Sequence, residues 1–201
     1  MNHFEELAKA IETSHTVGIE RWPKYIDECA NNGGKVFVIG NGGSSAIASH
    51  FAGDLMKAAW DGTSHKKPLV ICLSDNTPIM TATANDTGHD RMFSNQLKYY
   101  SASKDDILIA ISSSGNSQNI ILAVLRALKT KMKVLTMTGF AFNNSVKEMV
   151  TGPEDIGTAM EHHLDQIWAA SDCYEVVEDI HHMCMHGVIR GYKQLMNGWP
   201  A

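Results

Sequence analysis

The chain has 201 residues, of which 44% are hydrophobic, and a formal charge of −5. That suits one globular domain with a sizeable core, and the weak acidity without any basic run excludes a broad nucleic-acid-binding face. No apolar run is long enough to span a bilayer, and the amphipathic start MNHFEELAKAIE lacks the basic and apolar regions of a signal peptide, so a cytoplasmic protein that binds neither membrane nor nucleic acid is expected.

In chain order, roughly the first 30 residues read as helix, with Phe4, Leu7, Ile11, Trp22 and Ile26 as apolar positions. Pro23 should kink or divide it, and Asn31-Asn32-Gly33-Gly34 should stop it. This arm, residues 1–33, precedes an α/β core over 34–201 and would cover its own sheet or a neighbouring subunit. Strands are predicted at Lys35–Ile39, Pro68–Leu73, Asp106–Ile111, Lys133–Thr138 and Gln166–Ala170. The first four are apolar on both faces, the pattern of parallel strands covered on both sides. Helices are predicted at Ser44–Trp60, Arg91–Tyr100, Gln118–Lys129 and Tyr174–Leu195, giving successive βαβ units. Phe142–Val150 reads as a short helix and Thr151–Pro153 as a turn. Cys29, Cys72, Cys173 and Cys184 have no CxxC spacing and are expected as free thiols.

Two turns stand out. Gly40–Ser45 reads GNGGSS and Ser112–Asn119 reads SSSGNSQN. Each follows a buried strand and opens a helix, whose free N–H groups and positive dipole end suit an anion. Gly115 allows a tight approach of backbone to ligand, Ser112, Ser113 and Ser114 add hydroxyls, and Ser117 is placed to cap the second helix. A single serine-rich turn is most simply a capped polar loop. Two such turns, both at carboxyl ends of strands, favour phosphate binding. The first turn fits neither the G-x-G-x-x-G nor the Walker A spacing, and neither turn holds Lys or Arg. The expected ligand is therefore a small molecule with a single phosphate.

His50 and Asp54 share one helix face, and Glu178, His182 and His186 another, with His181 alongside. Imidazoles and carboxylates so spaced serve a metal or general acid–base chemistry. His50 and His186 rank first as functional, then His181, with His182 last. Asn85-Asp86 lies in a polar stretch after the second strand and reads as a pocket element or an Asx turn.

Taken together, GNGGS at Gly40–Ser44, HFAGDL at His50–Leu55, AND at Ala84–Asp86, SSSGNS at Ser112–Ser117, TG at Thr138–Gly139 and the pair Glu178 and His186 resemble the SIS (sugar isomerase) family. The resemblance implies a flavodoxin-like three-layer sandwich with a five-stranded parallel sheet and an N-terminal helical arm used in a homotetramer, with active sites at subunit interfaces. It implies that Ser44, Ser112, Ser113, Ser114 and Ser117 hold the phosphate of a sugar lined by Asn41, Gly42, Gly43, Asn85, Asp86 and Glu178. It places His50, Asp54, Glu178 and His186 as ligands of Zn²⁺ or another divalent ion, with Asp54, Glu178 and His186 as acid/base groups. The implied activity is aldose–ketose isomerisation of sedoheptulose 7-phosphate; the alternatives are another sugar phosphate, or a non-catalytic adaptor for a replication initiator. Two departures bear on this. Asp54 stands where the family usually has Glu, and Glu178 where it usually has Gln.

Overall fold

The computed structural model describes residues 2–60, 66–148 and 164–197. Five strands, β1 (Lys35–Gly40), β2 (Leu69–Cys72), β3 (Ile107–Ser112), β4 (Lys133–Thr138) and β5 (Leu164–Trp168), form one sheet in the order β2-β1-β3-β4-β5. Every pairing in it is parallel. The period-2 alternation of strand side chains divides the core into two layers. Val36, Val38, Ile107, Ile109 and Ile111 pack on one face with Trp22, Phe51, Leu55 and Tyr192. Phe37, Ile39, Leu108 and Ala110 pack on the other with Phe93, Leu97, Ile120 and Val124. Helices thus cover both faces, the three-layer α/β sandwich expected of doubly apolar strands.

The helices are α1 (His3–Thr13), α2 (Gly18–Asn31), α3 (Gly43–Ala59), α4 (Thr77–Thr87), α5 (Met92–Tyr99), α6 (Gln118–Lys129), α7 (Ser145–Glu148) and α8 (Tyr174–Asn197). The arm divides at Ser14–Val17, not at Pro23. At the break, His15 pairs in antiparallel fashion with Trp168, its N–H donating to the Trp168 carbonyl at 2.9 Å and its carbonyl accepting the return bond at 2.9 Å. The arm therefore protects the β5 edge of its own sheet. Pro23 sits buried inside α2 and packs against α8, where a Cβ on Gly191 would come within 2.9 Å of its ring.

Strand β5 begins two residues earlier than expected. At its polar start Arg21 donates to Asp165 Oδ1 at 2.6 Å and Gln166 donates to Thr138 Oγ1, while Asp165 Oδ2 is buried without a hydrogen-bond partner among the described residues. Strand β2 lies at the sheet edge, and Leu69 is exposed. Helix α4 falls where a polar stretch was read. Asn76 Oδ1 accepts from Ile79 N at 3.2 Å and Pro78 occupies the first turn, so a capped start creates a helix from weakly periodic TPIMTATANDT. The expected turn at Thr151–Pro153 and the end of the expected helix Phe142–Val150 lie outside the described residues. No described helix is long and apolar enough to cross a membrane.

The sheet order reverses between β1 and β3. A crevice opens there beyond the carboxyl ends of both strands.

Candidate active site

Both glycine- and serine-rich turns empty into that crevice. They and α8 enclose a cavity of about 350 Å³, lined by Asn41, Gly42, Gly43, Ser44, Ile111, Ser112, Ser113, Ser114, Ser117, Tyr174 and Glu178. Helix α3 starts from the first turn and α6 from the second, so two positive dipole ends meet at one cavity. Gly42 has φ 54° and Gly115 φ 63°, a left-handed backbone that favours glycine.

The turns are tied to one another. Asn41 Nδ2 donates to Asn119 Oδ1 at 2.9 Å, and Asn119 Nδ2 donates to Asn41 Oδ1 at 2.9 Å. Asn119 is buried, and its role is to hold the two loops in register. It escaped the sequence reading although it lies in the quoted SSSGNSQN run, because its partner is remote in sequence.

The hydroxyls are arranged for a ligand. Ser112 and Ser113 are buried. Ser113 Oγ finds no hydrogen-bond partner among the described residues, and such a group is normally satisfied. Ser117 stands at the N-cap position of α6 with an extended backbone, but its side chain makes no capping bond. It lines the cavity instead.

Glu178 closes the cavity from α8. Its carboxylate lies against Gly43 so closely that a Cβ there would be 2.2 Å from Oε2. Burial, then the nearby Glu175 and Asp179, raise its pKa above the ordinary carboxylate value. That direction suits a group that exchanges protons with carbon or oxygen.

Two turns further along α3, His50 meets α8. His50 Nδ1 lies 2.8 Å from His182 Nε2, and its Nε2 lies 3.4 Å from Asp54 Oδ2. The His50 ring is edge-on to those of His182 and His186, with centroids 5.0 and 5.3 Å away. Each of these three imidazoles offers one nitrogen to a set whose members all lie within 4.8 Å of one another, a spacing that fits a divalent cation.

The histidines of α8 fall in two environments. His182, placed last, is in the cluster. Burial, then the neighbouring His50 and His186, hold it below the usual imidazole range. His181 is in the core. Its Nε2 lies 3.0 Å from the Thr138 carbonyl oxygen, and complete burial lowers its pKa to about 4. Glu178, expected among the metal ligands, belongs to the cavity wall and not to the imidazole group. Asn85 and Asp86 are exposed on the last turn of α4, where Asn85 donates to Asp86, and they are not among the cavity-lining residues. Tyr174 lines the cavity, and sequence reasoning assigned it no role.

A family model described as the SIS domain matches residues 1–139, and the chain belongs to that family. A phosphoheptose isomerase of Helicobacter pylori is 33% identical over 180 residues, spanning 86% of this chain and 90% of the relative. That of Aliarcobacter butzleri is 41% identical over 137 residues, spanning 68% and 70%. The solved phosphoheptose isomerase of Francisella tularensis superposes with TM-score 0.80 at 28% identity, covering 96% of this chain and 95% of that one. The Neisseria gonorrhoeae structure gives 0.79 at 26%, covering 94% and 95%. Within the SIS family the chain falls among the phosphoheptose isomerases.

Proposed function

We propose that this chain is an aldose–ketose isomerase that interconverts sedoheptulose 7-phosphate and an aldoheptose 7-phosphate. The carrying observation is the convergence of both turns, with the unpartnered Ser113 hydroxyl, on one cavity closed by Glu178. The paired helix ends and the hydroxyls of Ser44, Ser112, Ser113, Ser114 and Ser117 anchor the phosphate. Anchoring one end fixes the reacting carbons at the other, removing most of the entropic cost of alignment.

Isomerisation moves one proton between C1 and C2 through an enediol. Asp54 or Glu178 is the base: it takes the proton from one carbon and returns it to the neighbouring carbon. The compensating proton passes between the two oxygens, so no net proton is consumed. Asp54 stands beside His50 and is the second carboxylate of the site. A divalent ion such as Zn²⁺, held by His50 and His186, would supply polarisation of the carbonyl. A homotetramer is expected, as the resemblance to the SIS family implies.

The test is incubation of zinc-supplemented protein with sedoheptulose 7-phosphate in D₂O. The expected result is appearance of aldose with deuterium at the exchanged carbon. Unchanged substrate without exchange refutes the assignment, and C5 to C7 sugar phosphates run alongside reveal a different preferred chain length.

A further inference from the structure

We infer that the metal shell of this chain is built from three imidazoles, His50, His182 and His186, with Asp54 supporting His50 from behind and Glu178 outside the shell. The role this leaves to Glu178 rests on the isomerase reading above; the shell itself does not.

The three rings come from two helices. His50 projects from α3, and His182 and His186 from successive turns of α8. They are exposed or half-buried, so core packing does not explain why three imidazoles crowd together. Tetrahedral zinc with Zn–N bonds of about 2.0–2.1 Å separates its donor nitrogens by about 3.3 Å. The 2.8 Å contact between His50 and His182 lies below that value and the 4.8 Å limit of the set above it. Side-chain rotation by an ångström or so closes the group. Three protein ligands leave a fourth position for substrate or water, the pattern of catalytic zinc.

Asp54 fits a different place. His50 turns Nδ1 towards His182 and Nε2 towards Asp54, so an ion held at Nδ1 leaves Nε2–H for the carboxylate. That is the carboxylate–histidine–metal arrangement, in which the carboxylate sets tautomer and ring orientation. It gives the shorter Asp54 side chain a purpose that needs no reach to the ion.

Glu178 lies one turn before His182, about 6 Å along the α8 axis. Its carboxylate is turned against Gly43, at the start of α3, whereas the imidazoles face the following turns. A shell of neutral imidazoles also leaves the ion its full positive charge. Two coordinating carboxylates would cancel that charge and weaken carbonyl polarisation.

Metal-free full-length protein titrated with Co²⁺, and with Zn²⁺ against a chromophoric chelator, tests this without reference to turnover. Wild type should bind one ion per chain with the visible absorption of four-coordinate cobalt. His182→Leu should lose that band and bind Zn²⁺ at least about 100-fold more weakly, and Asp54→Asn should keep the band with affinity down about 10- to 100-fold. Glu178→Gln should keep both band and affinity. His182→Asn, with circular dichroism on every variant, separates ligand loss from misfolding. Wild-type affinity and band in folded His182→Leu or His182→Asn, loss of metal in Glu178→Gln, or no stoichiometric binding by wild type would each overturn the inference. Cobalt binding through His182 in a wild type that isomerises no sugar phosphate would uphold the shell and refute the isomerase.

Discussion

Replacing Gly43 with alanine tests the placement of Glu178 without touching its chemistry. Gly43 is the first residue of α3, and a Cβ there would lie 2.2 Å from Glu178 Oε2 and 2.5 Å from Cδ. Ordinary contacts of a Cβ begin near 3.4 Å, so the carboxylate must retreat by more than an ångström. Productive geometry tolerates about 0.5 Å, and a displacement of about 1 Å costs on the order of 100-fold. The obstacle is the end of a flexible, half-buried side chain, so the fold gives way there at little cost. Alanine is also better than glycine inside a helix by up to about 1 kcal/mol. Gly43→Ala should therefore lower kcat for sedoheptulose 7-phosphate by about 100-fold. KM should change little, since the serine hydroxyls remain. The melting temperature should hold or rise by about 2–4 °C. Steady-state kinetics and thermal melting followed by circular dichroism measure all three. Wild-type kcat in a folded Gly43→Ala protein would mean that the Glu178 carboxylate is not the proton-transfer group.

Other substitutions probe the rest of the site. Ser113→Ala removes a hydroxyl with no partner among the described residues, so it should raise KM by about 10-fold or more, the worth of a hydrogen bond to a charged group, without lowering the melting temperature. An unaltered KM would remove Ser113 from the phosphate cradle. Asn119→Ala breaks the reciprocal amide pair and should cost about 1–3 kcal/mol, read as a lower melting temperature; no change would show that the turns hold their register without it. Burial holds the folded pKa of His181 at about 4, below the ordinary imidazole value of 6.5, so the unfolded chain binds more protons at intermediate pH and stability rises with pH through that window. About 3 kcal/mol, fully present above pH 6.5, should disappear as pH falls to about 4. Urea unfolding should show this slope in wild type and not in His181→Gln; an equal slope in both would assign it elsewhere. Cys29 and Cys184, their thiols pushed up to about 12 chiefly by burial, should resist iodoacetamide at pH 8 in the native protein while half-buried Cys173 reacts. Equal labelling of all four cysteines, read by mass spectrometry, would contradict that burial.

What was legible in the sequence was local. Gly40–Ser45 and Ser112–Asn119 carry their turn chemistry in contiguous residues, and the doubly apolar strands before them announce a parallel sheet covered on both faces. Helix α4 was hidden because its Thr- and Asn-rich sequence lacks a strong apolar period and only Thr83 is buried. The division of the arm was misplaced because Pro23 is the stronger local signal. The actual break at Ser14–Val17 is held by pairing with Trp168, far along the chain.

The histidines show the boundary most clearly. Their i, i+4 spacing put His182 and His186 on one face of a helix, but nothing local told which face met α3. The core positions Val177, Ile180, Cys184 and Val188 hold a spacing that contains His181, a signal the adjacent His-His pair obscured. Which imidazole is buried and which gathers with His50 follows from the packing of α8 on α3. The same packing presses Glu178 against Gly43, 135 positions away in the chain. A turn forms its shape from its own neighbours. The apposition of two helices depends on every side chain between them, and so appears only when the whole core is assembled.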